Sequence, residues 1–205
     1  MDEEPIKGGP ICSHLFWIDL ETTSLNIRTA KILELFILVT DRNLQPVDSL
    51  EIVIHYPEEE LRGLSVWSKK QHTTLLELVK HSTISLSAAT AKVVEFLDHH
   101  RRGRKAVLAG SSVNFDRQVL EQQILGSGSR IHYRVVDVST VLELARRWAP
   151  LLHQYAPRKT TGHRAREDVW SSLNLLAFYR QSFFAQPWVT YPATSRPPVL
   201  HSVFE

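Results

Sequence analysis

The chain has 205 residues and a mass of 23.5 kDa, with 43% hydrophobic and 22% charged residues, which excludes wholesale disorder and fits a single globular domain. The formal net charge is only +2, so any binding of a polyanion must rely on a local cluster of basic residues. The single cysteine, Cys12, excludes an intramolecular disulfide and a cysteine-based zinc site.

The two ends are predicted to lie outside the folded part. Residues 1–12 contain acidic residues, Gly and Pro and are predicted to be a flexible N-terminus, with no secretory signal or Arg-rich transit peptide. Residues 13–185 are the predicted folded domain, and residues 186–205, which contain four prolines, are predicted to form an extended tail. No apolar run reaches the ~18 residues that a spanning helix needs, so no membrane partner is expected.

Three β-strands are predicted in the early part of the chain. Residues 15–18 are a short apolar run that ends at Asp19, residues 31–40 are apolar and β-branched towards their end, and residues 49–56 alternate between apolar and polar. These three strands are predicted to pair as an antiparallel meander.

The apolar pattern then changes to alternating helices and strands. The predicted elements are a helix capped by Ser87 that ends before residues 99–103, a strand at 106–109, a helix from Ser111 or Ser112 that ends before Gly126, a strand centred on 135–136, a helix capped by Ser139 that ends at Pro150, and a helix at 164–183. Ala91 and Leu97 in the first helix and Trp148 in the third are expected to face the core. This order predicts an α/β protein with a mixed sheet and helices on its faces.

Two carboxylates follow the first predicted strand. Asp19 and Glu21 are two positions apart, so their side chains point to the same face of the strand. Adjacent carboxylates repel each other, and a divalent cation between them removes that repulsion. Oxygen ligands favour Mg²⁺ or Mn²⁺ over zinc. A structural alternative is that Asp19 only forms the turn at the end of the strand, a common role of Asp.

Two more acids and a histidine lie at the starts of predicted helices. Asp116 follows the fourth predicted strand, where sites gather in α/β sheets. Asp168 lies near the start of the last predicted helix, five positions after His163. Each also has a plain structural reading, because an acid near a helix N-terminus interacts favourably with the helix dipole and a single histidine is often an exposed loop residue. The complete set in this order indicates a catalytic site.

The segments around these residues resemble the motifs of the DEDDh 3′–5′ exonucleases: Asp19-Leu-Glu21-Thr-Thr23, Ser112-Val-Asn-Phe-Asp116-Arg and His163-Arg-Ala-Arg-Glu-Asp168. Residues 17–21 and 132–148 resemble more narrowly the oligoribonuclease family, and the resemblance extends over residues 15–184. It implies a ribonuclease-H-like fold, with a mixed five-stranded sheet whose first three strands are antiparallel and which is flanked by helices. Residues 13–185 would then be an exonuclease domain.

The resemblance implies an intracellular enzyme, in the cytoplasm or the mitochondrion. It would be a 3′–5′ exoribonuclease that hydrolyses short single-stranded RNA, down to dinucleotides, to nucleoside 5′-monophosphates. Two divalent cations, Mg²⁺ or Mn²⁺, would be held by Asp19, Glu21, Asp116 and Asp168. His163 would take a proton from the attacking water.

The resemblance also implies how a short strand is held. Leu25 and His72 would face the 3′ nucleotide, and Tyr133 would reach it from a partner subunit, so the enzyme would be a homodimer. The 5′ phosphate would be bound by a group of hydroxyls and one arginine: Ser112, Ser139, Thr140 and the partner subunit's Arg134. A structural alternative is that Ser139 only caps its helix, Tyr133 is a core residue and Arg134 is solvated.

Basic residues flank His163 in the sequence. Arg158, Lys159, Arg164 and Arg166 are therefore predicted to steer phosphate. The basic run at residues 101–105 is predicted to be a solvated loop between a helix and a strand.

The sequence departs from the resembled family at three positions and in one segment. Thr22, Ser24 and Ser111 stand where the family usually has Met, Gly and Asn, and the segment after His72 is shorter. The pair Thr22-Thr23 leaves open an exonuclease that acts on longer RNA or on DNA. A third possibility is a catalytically silent nucleic-acid-binding module on the same fold.

Overall fold

A computed structural model describes residues 11–126, 130–158 and 164–184. Its centre is a five-stranded sheet with the strand order β3-β2-β1-β4-β5. The strands are β1 (Ile11–Thr22), β2 (Ile32–Thr40), β3 (Pro46–Val53), β4 (Lys105–Gly110) and β5 (Ile131–Asp137). The first three pair antiparallel, and β4 and β5 continue the sheet in parallel. The predicted α/β class and mixed five-stranded sheet are confirmed.

Helices cover both faces of this sheet. In the described part of the chain they are α1 (Glu58–Leu61), α2 (Val66–Gln71), α3 (Thr73–His81), α4 (Leu86–Arg101), α5 (Asn114–Leu120), α6 (Val138–Trp148), α7 (Pro150–His153) and α8 (Ala165–Ser182). Helix α5 continues into a π-helical turn, Glu121–Leu125. None of the described helices is long and apolar enough to cross a membrane.

The side chains of β1 and β2 alternate between two hydrophobic cores. On one face, Trp17 and Phe36 pack with Val169 and Leu173 of α8. On the other, the intervening residues pack with α3, α4 and α5 in a larger core. Every residue of β2 is buried because both faces of the sheet are covered. Helix α8 therefore lies against the face that also carries the odd-numbered acids of β1.

Several element boundaries differ from the sequence predictions. Ser85, not Ser87, caps α4 and accepts the N–H of Ala88 at 3.2 Å. In this helix Leu97 is buried as predicted, together with Val93, whereas Ala91 is exposed. Strand β3 begins and ends three residues earlier than predicted.

The region between β3 and α4 contains the largest difference. Helices α1, α2 and α3 were not predicted, since they have only 4, 6 and 9 residues and too few apolar positions to establish a period. Two further predictions are corrected. Trp148, expected to face the core, is 68% exposed, and Pro150 begins α7 rather than only ending α6.

The predicted division into a flexible N-terminus, a domain and a tail is corrected at one boundary. Strand β1 begins at Ile11, so Ile11 and Cys12 belong to the sheet and not to the N-terminal segment. Residues 1–10 and 185–205 lie outside the described residues, so the rest of this division stays a prediction.

Candidate functional site

Three carboxylates from two elements meet at the end of the sheet. Asp19 and Glu21 lie near the C-terminal end of β1, and Asp168 lies in the first turn of α8. Each offers an oxygen atom, and these atoms all lie within 4.8 Å of one another. Glu21 and Asp168 are buried, whereas Asp19 is partly exposed.

This cluster is suited to a divalent cation. Three negative charges so close together repel one another, and two of them are shielded from water, so the arrangement favours a bound positive ion. Carboxylate oxygens are ligands that Mg²⁺, Mn²⁺ and Ca²⁺ accept. The residues present therefore fit a divalent metal site.

Asp116 lines the same site as the three acids. A cavity of about 370 Å³ is lined by Asp19, Glu21, Asp116 and Asp168 together with neighbouring residues. Asp116 is buried in the first turn of α5, and its Oδ1 accepts the N–H of Leu20 at 3.0 Å. It is not among the three acids whose oxygens lie within 4.8 Å of one another, so the structure brings it to the cavity but not into the close cluster.

The predicted base, His163, lies outside the described residues. Its sequence neighbour Arg164 is described and occupies the N-cap position of α8. The role of His163 therefore stays a prediction.

Leu25 and His72 line the same cavity as the acids. The Leu25 side chain is 74% exposed, so its apolar surface is open to a ligand, whereas His72 is only 4% exposed. The Nδ1 atom of His72 lies 3.6 Å from Oε2 of Glu21. His72 stands at the junction of α2 and α3, helices that the sequence did not reveal.

The turn after β4 brings Ser112 to Ser139. Their hydroxyl oxygens are 3.2 Å apart, and both backbone N–H groups donate to Oδ1 of Asp137 at 2.9 Å. Asp137, rather than Ser139, is the N-cap of α6. Sequence reasoning missed Asp137, although an Asp at the end of a strand and before a helix is a recognised N-cap signal.

Glycine is required where this turn leaves β4. Gly110 has a φ of +157°, and a Cβ there would lie 2.8 Å from the backbone oxygen of Ile18 in β1. Ser112, two residues on, has a φ of 55°. The turn therefore approaches β1 closely, just before the acids, and Ser111 and Ser112 line the cavity. Neither serine caps α5 as predicted, because its N-cap is Val113.

Tyr133 and Arg134 lie on the edge strand β5, away from the cavity lining. Tyr133 is 66% exposed, so it is not a core residue, and Arg134 lies 5.4 Å from the centre of its ring. Thr140 lies in the first turn of α6 and is exposed. Burial lowers the pKa of the nearby His132 below its ordinary value, and the positive charge of Arg134 lowers that pKa further.

The arginines predicted to steer phosphate divide into two groups. Arg164 donates to both carboxylate oxygens of Glu34, and Arg166 donates to Glu51 at 2.8 Å, so both bind carboxylates of the protein itself. Arg158 lines a second cavity of about 650 Å³, which adjoins the first at Ser111 and Ser112. Lys159 lies outside the described residues.

Comparison with known proteins agrees with this geometry. The sequence profile of the exonuclease family RNase_T matches residues 16–176. The mitochondrial oligoribonucleases of Homo sapiens and Mus musculus are each 36% identical over 180 residues, which cover 86% of this chain and 76% of theirs. The oligoribonuclease of Mycobacterium sp. (strain KMS) is 37% identical over 177 residues, 84% of this chain and 82% of its own.

Solved structures of exonuclease I share the fold. The enzyme from Methylocaldum szegediense has a TM-score of 0.66 at 15% identity, and a zinc-bound complex of E. coli exonuclease I with single-stranded DNA has a TM-score of 0.66 at 11% identity. Each match covers 83% of this chain but only 41% of the exonuclease I chain. The predicted ribonuclease-H-like fold is confirmed. By its sequence profile and its relatives, this chain belongs to the oligoribonuclease family of the RNase_T exonucleases.

Proposed function

We propose that the chain is a 3′–5′ exoribonuclease that hydrolyses short RNA oligonucleotides, down to dinucleotides, and releases nucleoside 5′-monophosphates. The observation that carries this proposal is the convergence of Asp19, Glu21 and Asp168 within 4.8 Å in a cavity open to a ligand. The names of the relatives support short RNA as the substrate.

In this proposal Asp19, Glu21 and Asp168 hold one divalent ion, Mg²⁺ or Mn²⁺, and Asp116 supports a second. The Leu20 N–H donates to Oδ1 of Asp116 and so holds this carboxylate at the cavity that the other three acids line. When bound, two such ions lower the pKa of the attacking water and stabilise negative charge on the departing 3′ oxygen. His163 takes the proton from that water.

The cavity wall offers separate contacts to the two ends of a short substrate. The exposed side chain of Leu25 gives an apolar surface to the base of the 3′ nucleotide, a type of contact that contributes about 1–3 kcal/mol per base. His72, beside Glu21, faces the same nucleotide. The hydroxyls of Ser112, Ser139 and Thr140 bind the 5′ phosphate at the N-terminus of α6.

A second copy of the chain would complete the substrate site. Tyr133 and Arg134 are exposed on β5 and do not line the described cavity, so in our proposal they act on the site of the partner subunit in a homodimer. Exposed apolar side chains of α6, α7 and the following turn supply a surface for such association: Trp148, Leu151 and Tyr155. We place the enzyme inside the cell, in the cytoplasm or the mitochondrion, as its relatives suggest.

The proposal is tested with 5′-labelled RNA of two, five and twenty nucleotides and with matched DNA, in Mg²⁺ or in EDTA. The expected result is fastest cleavage of the dinucleotide to mononucleotides and none in EDTA, with Glu21→Gln as the inactive control. A strong preference for the twenty-nucleotide strand, or for DNA, would favour an exonuclease for longer substrates. No cleavage with any divalent metal would leave a silent binding module.

A further inference from the structure

An ion pair between a buried glutamate, Glu34, and a partly exposed arginine, Arg164, lies beside the three-carboxylate cluster. Glu34 in β2 is the antiparallel partner of Glu21 in β1, and its side chain is 0% exposed. Arg164 reaches it from the start of α8. The Arg164 Nε lies 3.0 Å from both carboxylate oxygens of Glu34, and Nη2 lies 2.6 Å from Oε1.

Glu34 also holds the backbone of α8. Its Oε2 accepts the N–H of Ala165, the first residue of that helix, at 3.1 Å. The N-cap residue, Arg164, makes no capping hydrogen bond with its own side chain. The Glu34 carboxylate therefore accepts a hydrogen bond at the start of α8, as an N-cap side chain would. Its negative charge also interacts favourably with the N-terminus of the helix.

This contact is one helical turn away from Asp168. The N–H of Asp168 donates to the carbonyl oxygen of Arg164 at 3.1 Å and closes the first turn of α8. The position of that turn on the sheet fixes where the Asp168 carboxylate lies relative to Glu21. Glu34 binds Arg164 and Ala165 at the start of α8. It therefore connects β2, the strand paired with the one that carries Glu21, to the helix that carries Asp168.

Stability alone does not account for such a pair. Burying the Glu34 carboxylate and part of the Arg164 guanidinium costs free energy. Apolar residues of similar volume often stabilise a fold equally well or better. Glu34 would also add its negative charge to the repulsion around Glu21 if Arg164 did not neutralise it. The ion pair instead fixes an orientation. Two N–H groups of the planar Arg164 guanidinium and the backbone N–H of Ala165 all donate to the Glu34 carboxylate.

We propose that Glu34 and Arg164 are positioning residues, which set the first turn of α8 against β1 so that Asp168 meets Asp19 and Glu21 with the spacing a divalent metal requires. This inference rests on the proposed function of the cluster as a metal site. Replacing residues that orient metal ligands typically lowers metal affinity or activity by about 10–100-fold.

The test uses Glu34→Gln in the full chain, with Glu51→Gln as the matched control. Glu51 also lies near Arg164, at 3.6 Å between Oε1 and Nη2, but its side chain is 28% exposed whereas that of Glu34 is buried. Mn²⁺ binding to the metal-free protein is measured by calorimetry, alongside kcat and KM for a dinucleotide and the melting temperature. The expected result for Glu34→Gln is a loss of Mn²⁺ affinity and kcat of about tenfold or more, with KM nearly unchanged, while Glu51→Gln keeps both.

A double variant, Glu34→Gln with Arg164→Gln, covers the case in which the single variant does not fold, because it leaves no unpaired buried charge. It too is expected to lose Mn²⁺ affinity. A folded variant with a lower melting temperature but wild-type Mn²⁺ affinity and kcat would overturn the inference, since the pair would then be only structural. If the wild-type chain itself neither bound Mn²⁺ nor cleaved RNA, the proposed function would fail first, and the positioning role with it.

Discussion

One carboxylate oxygen of Asp137 accepts the backbone N–H of Ser112 at 2.9 Å, although the two residues are 25 positions apart. The same oxygen accepts the N–H of Ser139. Ser112 has a left-handed backbone, which costs a residue other than glycine about 1–3 kcal/mol, and the bond to Asp137 offsets that cost. Asp137 therefore holds together the two hydroxyls that we propose bind the 5′ phosphate of the substrate.

Replacing Asp137 with Ala should weaken this grip on phosphate. We expect KM for a 5′-phosphorylated dinucleotide to rise about tenfold, because a hydrogen bond to a charged group contributes about 1.5–3 kcal/mol. We expect kcat to stay within about twofold of the wild-type value, since the three-carboxylate cluster is unchanged. Steady-state kinetics with phosphorylated and unphosphorylated dinucleotides would measure both, and the unphosphorylated substrate should show no KM change.

Ser85→Ala is the matched control for this variant. Ser85 caps α4 through the N–H of Ala88 and does not line the cavity. Its loss should lower stability by about 1 kcal/mol, as loss of the Asp137 cap also should, but leave KM unchanged. An equal rise in KM for both variants would show that the Asp137 effect is one of general stability.

Metal binding by the three-carboxylate cluster is expected to affect thermal stability as well as activity. A ligand at 100 times its dissociation constant stabilises the folded state by about 2.7 kcal/mol, so Mn²⁺ should raise the melting temperature of the wild-type chain. Asp168→Asn should lose that rise together with turnover, because it removes one of the three converging carboxylates. Differential scanning calorimetry with and without Mn²⁺ measures the effect.

Glu77→Gln removes an equal charge from an exposed ion pair with Lys80 on α3 and should keep both the Mn²⁺-induced rise and full activity. Cleavage by Asp168→Asn at the wild-type rate in Mg²⁺ would contradict the assignment of the cluster.

The sheet was predictable from the sequence, whereas the helices beside the site were not. Strand β2 is buried at every position, and its continuous apolar and β-branched run is visible in the sequence. Helices α1 to α3 are held by a few buried side chains, Leu61, Leu75 and Val79. Such short helices depend on packing against the rest of the protein, which no local pattern records.

The site divides in the same way. Asp19 and Glu21 could be paired from strand geometry alone, because alternate residues of a strand share a face. Glu34 could not be identified, since its partner Arg164 is 130 positions away and a lone Glu in an apolar run has no distinguishing local feature. The arginines after His163 looked like phosphate ligands for the same reason: their carboxylate partners come from strands remote in sequence.

The pKa of His132 should reflect the positive charges that surround it on β5. Burial lowers its pKa below the ordinary value of 6.5, and the charges of Arg134, Lys105 and Arg117 lower it further. The unfolded chain therefore binds this proton more readily than the folded chain does. The contribution of His132 to the free energy of unfolding should decrease as pH falls through 6.5 and level off below the lowered pKa.

An NMR titration of the His132 ring would measure this pKa directly. Arg134→Gln should raise it towards 6.5 because one of the repelling charges is gone. Arg180→Gln, on α8 beside Asn43, should leave it unchanged. A His132 pKa at or above 6.5 in the wild-type chain would contradict the environment described for β5.

Action of Arg134 on the site of a partner subunit can be tested by mixing two defective variants. Asp19→Asn lacks a metal ligand but keeps Arg134, and Arg134→Ala keeps the cluster but lacks the phosphate contact. If Arg134 acts across a homodimer, each mixed dimer contains one complete site. Random exchange makes half of the dimers mixed, so activity at low substrate concentration should recover to about a quarter of the wild-type value.

A mixture of Asp19→Asn with Asp168→Asn provides the decisive comparison. These two carboxylates converge within one chain, so every site in a mixed dimer lacks one of them and no activity should return. Recovery with Arg134→Ala but not with Asp168→Asn is the pattern that action across the dimer requires, because only a residue supplied by the other subunit can be complemented. Absence of recovery in both mixtures, with subunit exchange verified by differently tagged chains, would place Arg134 outside the partner's site.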